Sequence, residues 1–197
     1  MLNDYISLSD DIQKRLDLFY DLHKNATLNL TSIKDKEQFY IKHYLDSIYF
    51  FIKYNPSFES LCDIGSGGGF PGIVIAIFYS QKPVYLVESI RKKADFLLSA
   101  VNVLGLDNVE VINDRIENIK FRSFDLFTAR GVSSVLDILK KSFNVSRETS
   151  SWLLYKGKKL DDELKEAEKF IRNKGLEVRN VRIEEPFLRT YCYITNK

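Results

Sequence analysis

Apolar and polar positions change their period near residue 60. Before it, Ile12, Leu16, Phe19, Tyr20 and His23 recur at helical spacing behind Ser9, a residue type suited to cap a helix start. After a polar break, Asp35 followed three residues later by Gln38 resembles a capping box. The helix it opens carries Phe39, His43, Ile48 and Phe51/Ile52 near one face. Residues 1–55 are therefore predicted as a helical extension packed on a main domain of residues 56–197. From residue 60 onward short apolar runs alternate with helical patterns, the mark of a doubly wound parallel sheet. Strands are expected at 61–64, 83–88, 109–112, 124–129 and 151–155, and helices at 71–80, 91–104, 133–141 and 160–174. Two more strands, 176–183 and 189–195, are separated by only 184–188. That is too short for a crossover, so they are predicted to form an antiparallel hairpin that completes a seven-stranded, mostly parallel sheet.

The stretch 61–77, LCDIGSGGGFPGIVIAI, joins the first strand to the first helix through four glycines in five residues. Glycines there let the backbone adopt φ > 0 and approach a ligand closely. Such a turn at a helix start makes a nucleotide-sized pocket at the carboxyl edge of a parallel sheet. It can be read in two registers. Asp63-x-Gly65-x-Gly67-x-Gly69 has the acid-plus-glycines pattern of S-adenosylmethionine enzymes, and Gly67-x-Gly69-x-x-Gly72 satisfies the dinucleotide fingerprint. Asp63 favours the first, because an acid there repels a pyrophosphate but suits a sulfonium and an ammonium. Glu88, 23 residues after Gly65, ends the second strand where a carboxylate can accept from ribose hydroxyls. The turn after the third strand, 113–117, is expected to border an adenine. Backbone amides around Ile116 would read the base edge there, and Asp114 or Glu117 would take its amine. Arg130 leaves the fourth strand at the same edge, and the fifth delivers Lys156, Lys158 and Lys159. His43 lies in a segment, 42–47, that is unusually polar for one packed on a core. It reads equally as a partly buried histidine bonded to a neighbour and as a residue at the substrate mouth.

Composition narrows the picture only a little. Of 197 residues, 45% are hydrophobic and 28% charged, an ordinary globular balance, and the formal charge of +2 neither demands nor excludes RNA. Cys62 and Cys192 both fall in strand-like apolar runs and read as buried reduced thiols. The acidic start MLNDYISLSDD lacks an apolar signal region, and no apolar run approaches membrane-spanning length. A cytoplasmic protein is expected, as a monomer and without a metal.

Segment by segment, the chain resembles the bacterial small-subunit rRNA guanine-N7 methyltransferases, also known as glucose-inhibited division protein B. The resemblance rests on NLTSIKD (29–35), KHYLDS (42–47), DIGSGGGFPG (63–72), DRIE (114–117), ARGVSS (129–134) and YKGKKLDDEL (155–164), in the family's order. It implies a Rossmann-like class I methyltransferase using S-adenosylmethionine on a guanine of the 16S rRNA decoding region (530 loop), on the small subunit or its precursor. It also implies cofactor contacts at Gly65, Phe70, Ile116, Glu117 and Arg130, and basic residues Arg115, Lys156 and Arg189 around the RNA and active site. Lys42 stands where many relatives carry arginine, which keeps charge but loses bidentate geometry.

The chemistry agrees. Guanine N7 has an exposed lone pair and no proton to lose, so transfer to it needs positioning rather than a general base. No Asn-Pro-Pro-Tyr type tetrad follows the fourth strand, and no cysteine sits where C5 methylation would need a nucleophile. Three other readings remain at this stage. They are a methyltransferase acting on a protein or small molecule, an NAD-binding oxidoreductase (which here lacks a convincing catalytic His or Tyr-Lys pair), and a non-catalytic RNA-binding module.

Overall fold

The computed structural model describes residues 2–120 and 122–196. Seven strands form one sheet in the order β3-β2-β1-β4-β5-β7-β6. β1 (Leu61–Ile64), β2 (Val84–Val87), β3 (Val109–Ile112), β4 (Phe124–Arg130) and β5 (Ser146–Lys156) run parallel. β7 (Arg189–Asn196) is antiparallel both to β5 and to β6 (Leu176–Ile183), so the predicted hairpin folds back and inserts its second strand next to the parallel core. Strand order reverses between β1 and β4, and the carboxyl ends of these two strands define the crevice where α/β sheets bind ligands.

Helices cover both faces. α4 (Gly72–Phe78) is buried from Gly72 through Ile77, the composition of a helix wrapped on all sides. One side of it meets the sheet. On the other lie α1 (Asp10–Asn25) and the helical run of α2 (Lys36–Phe39) and α3 (Asp46–Tyr54), so Leu16, Phe19, Tyr44 and Ile48 share one buried cluster with Ile73, Val74 and Leu86. α5 (Arg91–Leu104) buries Ala94, Leu97, Ala100 and Leu104 at helical spacing and stops at Gly105, where φ is +60°. On the opposite face α6 (Val135–Ser142) and α7 (Leu160–Asn173) cover Cys62, Phe127 and Trp152. Both cysteines are buried and free.

The caps follow the sequence: Ser9 Oγ accepts from Ile12 N and Asp35 Oδ1 from Gln38 N. Two details differ from the hydrophobic pattern. β5 begins five residues earlier than expected, at Ser146, with a polar start that Arg147 ties to Asp125 and Ser123. Ile52 is exposed rather than facing the core. Between α2 and α3 the chain makes a π-helical turn, Tyr40–Leu45. Its wider winding resets the helical phase that a 3.6-residue reading assumes. That same turn directs His43 and Asp46 at the carboxyl ends of β4 and β5.

Candidate active site

The glycine turn leaves β1 by donating Gly65 N–H to Val87 O (2.8 Å). Gly65 adopts φ +66°, and a Cβ built there would lie 2.7 Å from Val132 Cγ2, so both conformation and space require glycine. At Gly72 the constraint is contact: a Cβ would meet Leu86 Cδ2 at 2.3 Å and Asp63 Oδ2 at 2.7 Å.

Asp63 departs from the charge argument made from sequence. Its carboxylate is fully buried and points inward, accepting from Gly72 N (3.1 Å) and Thr128 Oγ1 (2.7 Å). Burial pushes its pKa up to about 6, against the pull of its hydrogen bonds from Thr128, Ser66 and Gly72. The strand end is enclosed by α4, whose first amide captures the acid, so Asp63 braces the turn instead of facing a cationic ligand. Glu88 behaves similarly. Oε2 accepts from Gly67 N (2.9 Å) and Oε1 from Ile90 N (2.8 Å), so in this structure the carboxylate holds the turn's shape and lines neither of the two cavities described below. Each of its oxygens keeps a second lone pair.

Two cavities meet above the turn. The smaller, about 200 Å³, is walled by Ile64, Gly65, Val87, Ile116 and Glu117 and has Arg115 at its rim. Apolar faces with two acids, Asp114 and Glu117, and a glycine cradle suit a purine nucleoside, which fits the adenosine portion of S-adenosylmethionine. Gly65, Ile116 and Glu117, which the resemblance names for cofactor contacts, thus line one cavity. Arg115 is largely exposed and lies 4.0 Å from Glu117. Gly67 and Gly69 take φ of +56° and +90° within the turn.

The larger cleft, about 880 Å³, opens on the other side of Val132 and Ser133, which wall both spaces. Its cations are Lys42, Arg130, Lys156, Lys158, Lys159 and Arg189. Asp46, only 1% exposed, holds two of them: Arg189 bonds both carboxylate oxygens (2.7 and 2.6 Å) and Arg130 Nη1 bonds Oδ2 at 3.0 Å. Two guanidinium groups on one carboxylate leave a net positive wall whose geometry is fixed. Tyr191 Oη donates to Asp46 O at 2.9 Å and Tyr155 Oη to Ser47 O at 2.6 Å, anchoring the same segment to β7 and β5.

His43 lines this cleft and bonds on both ring nitrogens. Arg130 Nη2 lies 3.0 Å from Nδ1; a guanidinium can only donate, so Nδ1 accepts and Nε2–H donates to Thr31 Oγ1 at 2.8 Å. Burial first, and the positive charge of Arg130 second, push its pKa down to about 3. His43 is therefore neutral near pH 7, a partly buried histidine bonded to its neighbours at the edge of the cleft. Phe70 lines neither cavity. Its ring stacks under His43 (4.4 Å between centroids, 10° apart) and carries the Arg130 guanidinium 5.0 Å above its centroid. The ring of Phe70, a position the resemblance names for a cofactor contact, is thus the floor beneath the cationic wall. Lys156 is also turned inward, donating to Ser133 O (2.6 Å) and Glu163 Oε2 (2.7 Å), while Glu163 Oε2 takes Val135 N at 2.9 Å. These bonds pin the loop between the two cavities. Asp46, Thr31, Val132 and Glu163 were not singled out from sequence. All four lie in the very motifs that carry the resemblance, which was the available signal.

A mostly parallel sheet with this glycine turn, a nucleoside cavity beside it and an antiparallel last strand is the architecture of the S-adenosylmethionine-dependent methyltransferases. The fold agrees with an O-methyltransferase from Bacillus cereus solved in complex with SAH, at a TM-score of 0.65 and 15% identity, covering 100% of this chain and 95% of that one. The sequence profile described as rRNA small subunit methyltransferase G matches residues 12–187, and the chain belongs to that family. Two relatives bearing the name ribosomal RNA small subunit methyltransferase G come from Geobacillus thermodenitrificans and Mycoplasma capricolum. The first is 35% identical, covering 88% of this chain and 76% of its own length; the second is 31% identical, covering 89% and 78%. Membership sets aside the NAD-oxidoreductase reading. No helix among the described residues is long and apolar enough to cross a membrane.

Proposed function

We propose that this protein transfers the methyl group of S-adenosylmethionine to N7 of a guanine in the decoding region (530 loop) of 16S rRNA, as a cytoplasmic monomer acting on the small subunit or its precursor. The observation that carries the reading is the meeting of a nucleoside-sized cavity and a cationic cleft across one wall, Val132–Ser133. When bound, S-adenosylmethionine would supply a methyl activated by its sulfonium, the C–S bond breaking as the N7 lone pair takes the methyl and the neutral thioether leaving. The residues of the chain position and balance charge. Gly65, Ile116 and Glu117 hold the nucleoside. Exposed Lys42, Lys158 and Lys159 attract phosphates. Arg130, fixed by Asp46 and His43, presents positive charge at the mouth of the central strand. Lys156 and Glu163 hold the intervening loop.

Of the carboxylates and the histidine lining the cleft, only Glu163 keeps an oxygen without a hydrogen-bond partner among the described residues. His43 has both nitrogens engaged and its pKa pushed far down, both oxygens of Asp46 are on arginines, and Glu163 is paired with the Lys156 ammonium. An acceptor hydroxyl or amine must lose a proton as it is methylated, whereas N7 does not. In-line positioning is then the main contribution required of the protein. The test is methyl transfer with labelled cofactor to small subunits, stripped rRNA and bulk protein, followed by mass mapping. Label at a guanine N7 of 16S rRNA is expected. Label confined to protein, or at an amine or ribose of RNA, overturns the reading.

A further inference from the structure

Glu163 has two unlike oxygens. Oε2 is saturated inside the protein by Lys156 Nζ (2.7 Å) and Val135 N (2.9 Å). Oε1 has no hydrogen-bond partner among the described residues. No buried side-chain nitrogen or oxygen in those residues lacks a partner, so Oε1 is accessible from outside, and Glu163 lines the cleft. It is an unusual feature there. The other acid of the cleft, Asp46, has both oxygens on arginines, and every remaining charge facing the space is positive. An open carboxylate oxygen repels a phosphate, so it works against a cleft that only grips an RNA backbone. It suits a ligand edge that carries hydrogen-bond donors.

A base must leave its stack to reach this cleft, and its Watson–Crick edge is then available to be read. Among the bases, guanine carries the 2-amino donor, on the edge away from N7. Adenine offers no donor at that position. We propose that Glu163 is the specificity-determining residue for the base, its Oε1 accepting a hydrogen bond from the 2-amino group of the target guanine. This rests on the guanine-N7 reading given above. The helix that carries Glu163 starts immediately after the Lys156-Gly157-Lys158-Lys159 turn, so one short segment supplies both phosphate-binding cations and the base reader. Lys156 contributes by fixing which oxygen faces inward.

The substitution Glu163→Gln tests this cleanly. Lys156 Nζ and Val135 N–H are both donors, so the amide oxygen of glutamine must take the place of Oε2. The amide NH2 then faces the cleft, and an acceptor becomes a donor while the internal bonds persist. Methylation is measured on small subunits reconstituted with either guanine or inosine at the modified position, inosine lacking only the 2-amino group. With the unsubstituted protein, inosine is expected to lower kcat/KM by roughly 10- to 100-fold, the range for a hydrogen bond to a charged group. Glu163→Gln is expected to lower kcat/KM on guanine by a similar factor and to bring the guanine-to-inosine ratio near one, with cofactor affinity retained. An unchanged ratio in Glu163→Gln overturns the assignment, as does equal methylation of guanine and inosine by the unsubstituted protein, which requires no variant to fold. A merely structural role for Glu163 lowers both substrates equally and leaves the ratio where it was. Failure of the underlying reading looks different: the unsubstituted protein then places no methyl on N7 of a guanine in rRNA.

Discussion

Asp46 and Arg189 are 143 residues apart in the chain and meet through two parallel hydrogen bonds, Nε to Oδ1 at 2.7 Å and Nη2 to Oδ2 at 2.6 Å. Arg130 closes on the same carboxylate from the end of β4. The pair therefore joins the N-terminal helical run, the central strand and the inserted antiparallel strand at one buried point. Asp46→Asn keeps the shape but removes the charge that offsets two guanidinium groups, and breaking a buried ion pair from one side costs about 3–5 kcal/mol. Guanidinium chloride titration is expected to show a lowered midpoint, equivalent to an unfolding free-energy loss of that size, together with loss of methyl transfer. A midpoint equal to that of the parent contradicts the role given to Asp46.

The proton linkage of the site has two opposed components. Folding lowers the pKa of His43 from 6.5 to about 3, so the folded state stays neutral while the unfolded chain binds a proton below pH 6.5. Its contribution is intact above that pH and is lost as pH falls, by about 2 kcal/mol between pH 7 and 5 at 1.36 kcal/mol per unit. Asp63 runs the other way. Its pKa rises from 3.8 to about 6, so the folded state holds its proton longer and stability falls as pH rises from 4 to 6, by an amount on the order of 2 kcal/mol. Denaturant midpoints measured across pH 4–7 are expected to give opposite changes of slope. His43→Gln removes part of the acid sensitivity below pH 6.5, whereas Asp63→Asn flattens the loss between pH 4 and 6. Parallel profiles for the two variants and the parent refute both linkages.

The cofactor turn makes a steric prediction. Gly65→Ala places a methyl 2.7 Å from Val132 Cγ2 in a left-handed backbone at φ +66°. The conformation costs an L-residue about 1–2 kcal/mol, and the clash adds to it. S-adenosylmethionine affinity by calorimetry is expected to fall at least tenfold. Adding Val132→Ala removes the clash but not the backbone strain, so only part of the loss returns. Full recovery in the double variant shows the backbone term to be absent.

What the sequence made legible follows from how local each constraint is. The glycine turn announces itself because no other residue tolerates its backbone, and the seven strands follow from apolar runs only four to eight residues long with turns between them. β5 was shortened because its polar first residues are held by Arg147 rather than by burial. Asp46 stayed hidden because its arginine partners lie 84 and 143 residues away, and nothing in the spacing of 42–47 announces them. Asp63 misled for a related reason: its position at a strand end is local information, while the direction of its carboxylate depends on how α4 closes over it. Glu163 looked like one of several acids matched to a helix dipole, and only the bonds of Oε2 distinguish it from Asp161 and Asp162.

RNA affinity should report which cations meet phosphate. Arg130, Arg189 and Lys156 are committed to internal acids, whereas Lys42, Lys158 and Lys159 are exposed along the rim with no ion pair among the described residues. Each phosphate neutralised on single-stranded RNA contributes about −0.7 to the slope of log K against log salt, so three lysines give a slope near −2. Lys158→Gln with Lys159→Gln is expected to reduce that slope by about 1.4 and to weaken binding at low salt, with the melting temperature unchanged because neither side chain is packed. Filter binding across 50–300 mM salt measures the slope directly. A slope that survives the double substitution moves the phosphate contacts to another face, and a flat response in the parent removes the phosphate backbone from recognition at this cleft.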